Sequence, residues 1–143
     1  DVRGSLNRLR PGALEERTLK DALEKTIREY QILSNLQVDL NYEWIDVDMD
    51  VMIEDTIFRV IQESMTNAVR HGHASHMDLH FFEDEEDYMI ELQDNGVGFE
   101  TLTYGYGLKQ MMERISILGG QLQFESRDGF FTRVSLPKYK EGR

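Results

Sequence analysis

The chain has no cysteine, which excludes a disulfide framework and any thiolate metal site and makes a reducing compartment the default. Only two of its 143 residues are proline. No Pro-rich linker, low-complexity tract or internal repeat divides it, so one domain with one core is expected. There is also no run of about 18 apolar residues and no signal-type hydrophobic start. These residues are therefore expected neither to span nor to contact a membrane, and a cytoplasmic location follows. Basic residues are scarce beside acidic ones: 16 Lys and Arg against 27 Asp and Glu give a net charge of -11. That balance argues against a nucleic-acid partner, whose binding rests on cations that neutralise phosphates.

What is present is a 40% apolar chain, long enough to bury a real core. Thr18 can cap a helix in which Leu19, Leu23, Ile27 and Tyr30 form one stripe, to about Leu33. Val38, Leu40, Tyr42 and Trp44 then alternate with polar residues, the pattern of a half-buried strand. A long helix is expected over about residues 50–71, with Ile53, Ile57, Ile61, Ser64 and Ala68 as its core stripe and Gly72 at its end. Strands at 77–82 and 88–93 read as a hairpin around the acidic run 83–87, which lacks the ligand spacing of a calcium loop. Leu108, Met111, Met112, Ile115 and Leu118 mark a further helix. Two last strands carry Leu122 with Phe124, and Thr132 with Val134 and Leu136, on either side of a turn at Asp128-Gly129. The sum is an α/β sandwich of one sheet covered by helices, its other face partly polar.

Two segments carry candidate chemistry. On the long helix, Glu63, Asn67, Arg70 and His71 fall within a sector of roughly 100°. Asn and Glu oxygens suit Mg²⁺, and Arg and His can neutralise phosphate, although an ordinary polar helix face has the same appearance. Asp94 follows the inward row of Tyr88, Ile90 and Leu92, where a carboxylate is costly unless it meets donors. A ligand amine would supply one; a plain turn residue before Asn95-Gly96 is the alternative. Gly96 and Gly98 permit close backbone approach, and the segment 99–104 reads as a mobile lid. Gly105 and Gly107 are expected to precede a helix N-terminus, where free amides favour phosphate. Arg70, His71, His73, Lys109 and Arg114 would offset the acidic charge locally. His71, His73, His76 and His80 invite a metal reading, but His76 and His80 equally suit a solvent-facing strand row.

Taken in order, Leu9-Arg10-Pro11, the block from Glu63 to His71, Asp94-Asn95-Gly96-Val97-Gly98-Phe99, Gly105-Tyr106-Gly107-Leu108, Met112-Glu113-Arg114 and Gly119-Gly120 carry a family resemblance. The chain resembles the ATP-binding catalytic domain of a two-component sensor histidine kinase, in the gyrase, Hsp90, histidine kinase and MutL superfamily. It is most similar to the LiaS, VraS and DesK type, which acts on NarL-class response regulators. The resemblance implies a Bergerat-type α+β two-layer sandwich, its mixed and mostly antiparallel sheet covered on one face, that binds ATP and Mg²⁺. It implies Asn67 as the Mg²⁺ ligand, Glu63 as the residue that positions water or a metal-bound water, and Asp94 as acceptor for the adenine amino group. Gly96 and Gly98 would shape the pocket floor and lid hinge. Arg70, His71, Gly105, Gly107 and Leu108 would contact the nucleotide, and Thr132 would reach adenine through water.

The resemblance further implies transfer of the γ-phosphoryl group of ATP to a histidine on a preceding dimerisation domain, and from there to a response regulator. Residues 1–12 would be the end of a preceding helix or linker and 13–143 the catalytic domain, of a parent protein open to membrane anchoring. Three departures stand out. No histidine lies in the phosphoacceptor setting, so the chain should not phosphorylate itself. Phe131 stands where the family has a second glycine, which puts close backbone approach there in doubt. The lid is short. A sigma-factor-inhibiting serine kinase and a non-catalytic nucleotide-binding or scaffold module are the competing readings.

Overall fold

Local capping sets the helix boundaries. The computed structural model describes residues 18–45, 47–98 and 106–138. Helix α1 (Leu19–Leu33) starts where Thr18 Oγ1 accepts the Asp21 N–H at 3.1 Å. Helix α2 (Val51–Arg70) starts where Asp50 Oδ1 accepts the Met52 N–H at 2.7 Å. In each case a side-chain oxygen satisfies an amide that the first helical turn leaves without a partner. Strand β1 (Gln37–Tyr42) lies between them and ends two residues before Trp44, the expected last inward residue. Trp44 is buried all the same, with Nε1 donating to the Phe82 carbonyl at 2.6 Å.

After α2 come β2 (His76–Glu83), β3 (Asp87–Asp94), α3 (Tyr106–Ile117), β4 (Gln121–Ser126) and β5 (Phe130–Pro137). They form a five-stranded sheet in the order β1-β2-β3-β5-β4. Strands β1 and β2 pair in parallel through the α2 crossover, and the other three pairings are antiparallel. The expected mixed, mostly antiparallel sheet is therefore observed. Inserting β5 between β3 and β4 brings the last strand against Asp94's strand, with Leu92 opposite Thr132.

The inward rows of the central strands, Met77, Leu79 and Phe81, then Ile90 and Leu92, then Val134 and Leu136, meet Leu23, Ile27, Ile57, Ile61, Met65, Met111 and Ile115 of the helices in one core. Stripe and row match because periods of 3.6 and 2 each bring their apolar positions to one side. The stripe on α2 is wider than expected: Thr56, Phe58, Val60 and Met65 are also buried. At the end of the sheet that holds the acidic turn, Trp44 packs edge-on to Phe81, Tyr42 and Tyr88 at ring separations of 5.0–5.8 Å. The opposite end, where α2 runs into β2 and β3 into Gly96, holds the candidate site.

Gly72 stands just past the end of α2, as expected, and Gly107 departs from expectation. Gly72 does not take the left-handed conformation of a helix-ending glycine; the positive φ falls on His73. Its carbonyl instead accepts the Val97 N–H at 3.0 Å, and a Cβ on Gly96 would collide with it. Gly107 does not precede the helix but sits inside the first turn of α3, which begins at Tyr106.

Candidate nucleotide site

Asp94 is the last residue of β3 and only 5% exposed. Strand parity turns it inward with Ile90 and Leu92, as the alternation requires. Its carboxylate is not without donors: Oδ1 accepts the Gly96 N–H at 2.8 Å and the Phe130 N–H at 3.0 Å. The first bond is the turn contact anticipated for an Asp before Asn-Gly. The second comes from β5, 36 residues on, and ties Asp94 to the sheet. Gly129, at φ +133°, makes that approach possible, since a Cβ there would run into the Asp94 carbonyl oxygen. Gly98, at φ +70°, likewise leaves no room: a Cβ would meet Ser126 Oγ at 2.6 Å. Asn95 fastens the loop from outside, its Oδ1 accepting the amides of Ser75 and His76 at 2.9 and 3.0 Å.

Ser64 and Asn67 of α2, Leu108 of α3 and Met77 of β2 surround Asp94 together with Phe124, Phe130 and Thr132. Among the described residues Asn67 and the buried Ser64, Asp94 and Thr132 are the polar half of the lining, and Met77, Leu108, Phe124 and Phe130 the apolar half. The space between these side chains is about 10 Å³, enough for one water. The half-buried rings of Phe124 and Phe130, edge to face at 5.5 Å, are the large side chains of the cavity wall with solvent beside them.

Asn67 thus joins Asp94, Leu108 and Thr132 at one cavity, and Glu63 does not. One turn earlier on α2, Glu63 lies against Gly107, where any side chain would strike its carboxylate. It faces a separate polar cleft of about 340 Å³, between α1, α2 and α3, that also exposes Arg59 and Arg114. Asn67 brings a hard oxygen donor of the kind Mg²⁺ takes to the Asp94 cavity, while Glu63, one helical turn earlier, presents its carboxylate to the cleft. Arg70 and His71 end α2 with exposed side chains, and His73 and Lys109 are exposed as well. Gly105 and the lid segment 99–104 lie outside the described residues.

Phe131 does not crowd this cavity. Odd-numbered positions of β5 face the uncovered side of the sheet, where the ring is 5% exposed under the Arg127 guanidinium, 3.8 Å from its centroid. The missing second glycine therefore places bulk on the far face, and Thr132 keeps its inward position at 3% exposure.

A carboxylate held by backbone amides at a strand end thus shares a cavity with a threonine between two helices. The model of the histidine kinase-, DNA gyrase B- and HSP90-like ATPase family matches residues 52–140. The chain belongs to that family.

Among relatives of this ATPase domain, UhpB of Salmonella typhimurium, a signal transduction histidine-protein kinase/phosphatase, is 36% identical over 142 residues, covering 96% of this chain and 28% of UhpB. The sensor protein VraS of Staphylococcus aureus is 29% identical over 139 residues, 95% of this chain and 40% of VraS. The chain thus spans between about a quarter and two-fifths of the curated relatives it matches. The histidine kinase domain of the Erythrobacter litoralis EL346 blue-light activated kinase superposes with a TM-score of 0.71 at 17% identity, covering 83% of this chain and 60% of that one. The histidine kinase AdeS of Acinetobacter baumannii gives 0.70 at 19%, over 85% and 64%. At those identities the superpositions show the shared fold.

Sequence reasoning had not assigned Phe130, Phe124 and Met77 to the site of this ATPase domain. Parity along β5 was the available signal for Phe130, since it shares a face with Thr132. Phe124 needed the β4–β5 register, which sets it opposite Thr132.

Proposed function

We propose that the chain is the ATP-binding catalytic domain of a sensor histidine kinase, residues 13–143, joined through 1–12 to a dimerisation domain that carries the phosphoacceptor histidine. The observation that carries the reading is the buried Asp94 carboxylate, pinned through Oδ1 by two backbone amides in the cavity that Asn67, Leu108 and Thr132 share. Family membership and the names of the relatives support it. The competing serine-kinase and scaffold readings are not favoured, because relatives matching nearly the whole chain are named as sensor proteins and histidine kinases.

In this reading a nucleobase amino group donates to Asp94, whose orientation needs no adjustment because both amides already hold it. Thr132 binds the base through water. Asn67 supplies its amide oxygen to Mg²⁺ and Glu63 positions a water beside it, while Arg70, His71 and the amides around Gly105 and Gly107 bind phosphate oxygens. When bound, Mg²⁺ neutralises charge on the β- and γ-phosphates. The imidazole nitrogen of the incoming histidine forms the P–N bond as the bond to ADP breaks, and the phosphoryl group then passes to an aspartate of a NarL-type response regulator. The chain's contribution is positioning and charge neutralisation. Among the described residues no helix is long and apolar enough to cross a membrane. Anchoring therefore belongs, in this proposal, to other parts of the parent.

Calorimetric titration with ATP, with and without Mg²⁺, tests the reading. Wild-type protein should bind saturably. Asp94→Asn should lose at least tenfold in affinity with an unchanged melting curve, because the amide oxygen still accepts both backbone bonds while its NH₂ opposes the adenine amino group. Asn67→Ala should abolish Mg²⁺-dependent phosphohistidine formation on an isolated dimerisation domain added in trans. Folded wild-type protein that binds no ATP, or that binds it and never phosphorylates the added domain, would sink the proposal.

A further inference from the structure

The uncovered face of the sheet brings together three side chains that the nucleotide site does not use. Asp39 and Asp78 are register partners across the parallel β1–β2 pair, and His76 precedes Asp78 by two residues on the same face. His76 Nε2 lies 3.2 Å from Asp39 Oδ2 and 3.1 Å from Asp78 Oδ1. One ligand atom from each residue falls within 4.8 Å of the other two.

Those spacings have a coordination meaning. Two donors bound to one ion at about 2.0–2.1 Å, in tetrahedral or octahedral directions, stand about 2.9–3.4 Å apart. The two histidine–carboxylate distances are already in that range, and the two carboxylate oxygens stand within 4.8 Å of each other on exposed side chains. The framework is rigid, because both strands are paired and His76 is fixed at its backbone. Its N–H donates to Asn95 Oδ1 at 3.0 Å, and its carbonyl accepts the Asn95 N–H at 3.1 Å. The net charge of -11 favours a cation. An imidazole nitrogen with two carboxylate oxygens and no thiolate suits a borderline divalent ion rather than Ca²⁺, which takes an all-oxygen shell.

We propose that Asp39, His76 and Asp78 form a binding site for a divalent cation of the Zn²⁺ and Co²⁺ class, with its remaining positions open to water. The Asp94 cavity lies on the other face of the sheet, so this site stands whether or not the nucleotide reading does.

The test is calorimetric titration of the whole chain with CoCl₂ and then ZnCl₂, in buffer free of nucleotide and Mg²⁺. Each metal should bind with one equivalent at micromolar affinity, and Co²⁺ should develop a visible absorption band. His76→Ala and the double variant Asp39→Asn, Asp78→Asn should each weaken binding at least tenfold. Both leave the backbone bonds to Asn95 intact, and circular dichroism checks that they fold. His80→Ala removes the neighbouring open-face histidine, which pairs with Glu43 at 2.9 Å, and should leave binding unchanged. In ¹⁵N spectra of the histidine rings, His76 Nε2 should be the signal that moves with metal. Absence of saturable binding would reduce the cluster to an ion pair and overturn the site. Equal affinity in folded His76→Ala, or equal loss in His80→Ala, would overturn it by showing a diffuse acidic surface.

Discussion

Phe130 and Phe131 are neighbours in sequence and belong to opposite faces of one sheet. Phe130 lies on the helix-covered face and walls the cavity around Asp94, while Phe131 lies on the open face beneath Arg127. The same contrast runs through every strand. The covered face is a close-packed apolar layer, with Leu79, Phe81, Ile90, Leu92 and Val134 each at most 1% exposed. On the open face, partly exposed polar pairs such as the Arg133–Glu91 salt bridge at 2.9 Å and the His80–Glu43 hydrogen bond take that place. Burial makes the covered face the main source of stability, and it gives polar groups there such as Asp94 and Thr132 a low-dielectric setting in which a hydrogen bond discriminates between ligands. The open face is mostly solvated, with Phe131, packed under Arg127, an exception.

Truncation should expose this difference most strongly. Ile61→Ala, at a fully buried position of α2, should cost about 2–5 kcal/mol in denaturant melts, from lost burial and the cavity left behind. Arg133→Ala, which removes a half-exposed ion pair, should cost no more than about 1 kcal/mol. Similar losses for the two would break the comparison. A smaller and more pointed effect is expected from the phenylalanine pair. Phe131→Ala should lower stability by about 2–3 kcal/mol, less than a central-core phenylalanine because its cover is two partly exposed arginine side chains, and leave ATP affinity within twofold. Phe130→Ala should change ATP affinity by more than that, because it alters the cavity wall. A Phe131 variant that loses ATP binding while remaining folded would restore the idea that this position matters to the nucleotide.

The smallest effect concerns pH. Tyr42 lies on the covered face, where burial above all, and then the negative charge of Glu54, push its phenol up to about 12. The folded state therefore holds the proton more tightly than the unfolded chain, whose tyrosine titrates near 10.0. Stability from this group is intact below pH 10 and declines as pH rises from about 10 towards 12. Tyr42→Phe should flatten that part of a stability–pH curve, and an unchanged slope would count against the assignment.

The elements that could be read from the chain are those whose signals are local. Thr18 and Asp50 each cap within three residues, α2 shows its stripe over five turns, and the acidic turn sits between two alternating runs. Asp94's inward position followed from counting by two. Its second partner did not, because the Phe130 amide arrives from a strand whose place between β3 and β4 depends on long-range pairing. The separation of Glu63 from Asn67 was equally hidden: helical periodicity gives them one face, and only the packing of α3, with Gly107 against Glu63, divides that face between a cleft and a cavity.

By itself the sequence determined the helices and strands, the side of each that is buried, and the residue types at the site, since all of these follow from backbone periods and capping chemistry. Only the tertiary structure decided strand order, the bond from the Phe130 amide to Asp94 and the meeting of Asp39 with His76 and Asp78. Each of those depends on which distant strand supplies the neighbour, and no local period of the chain encodes that.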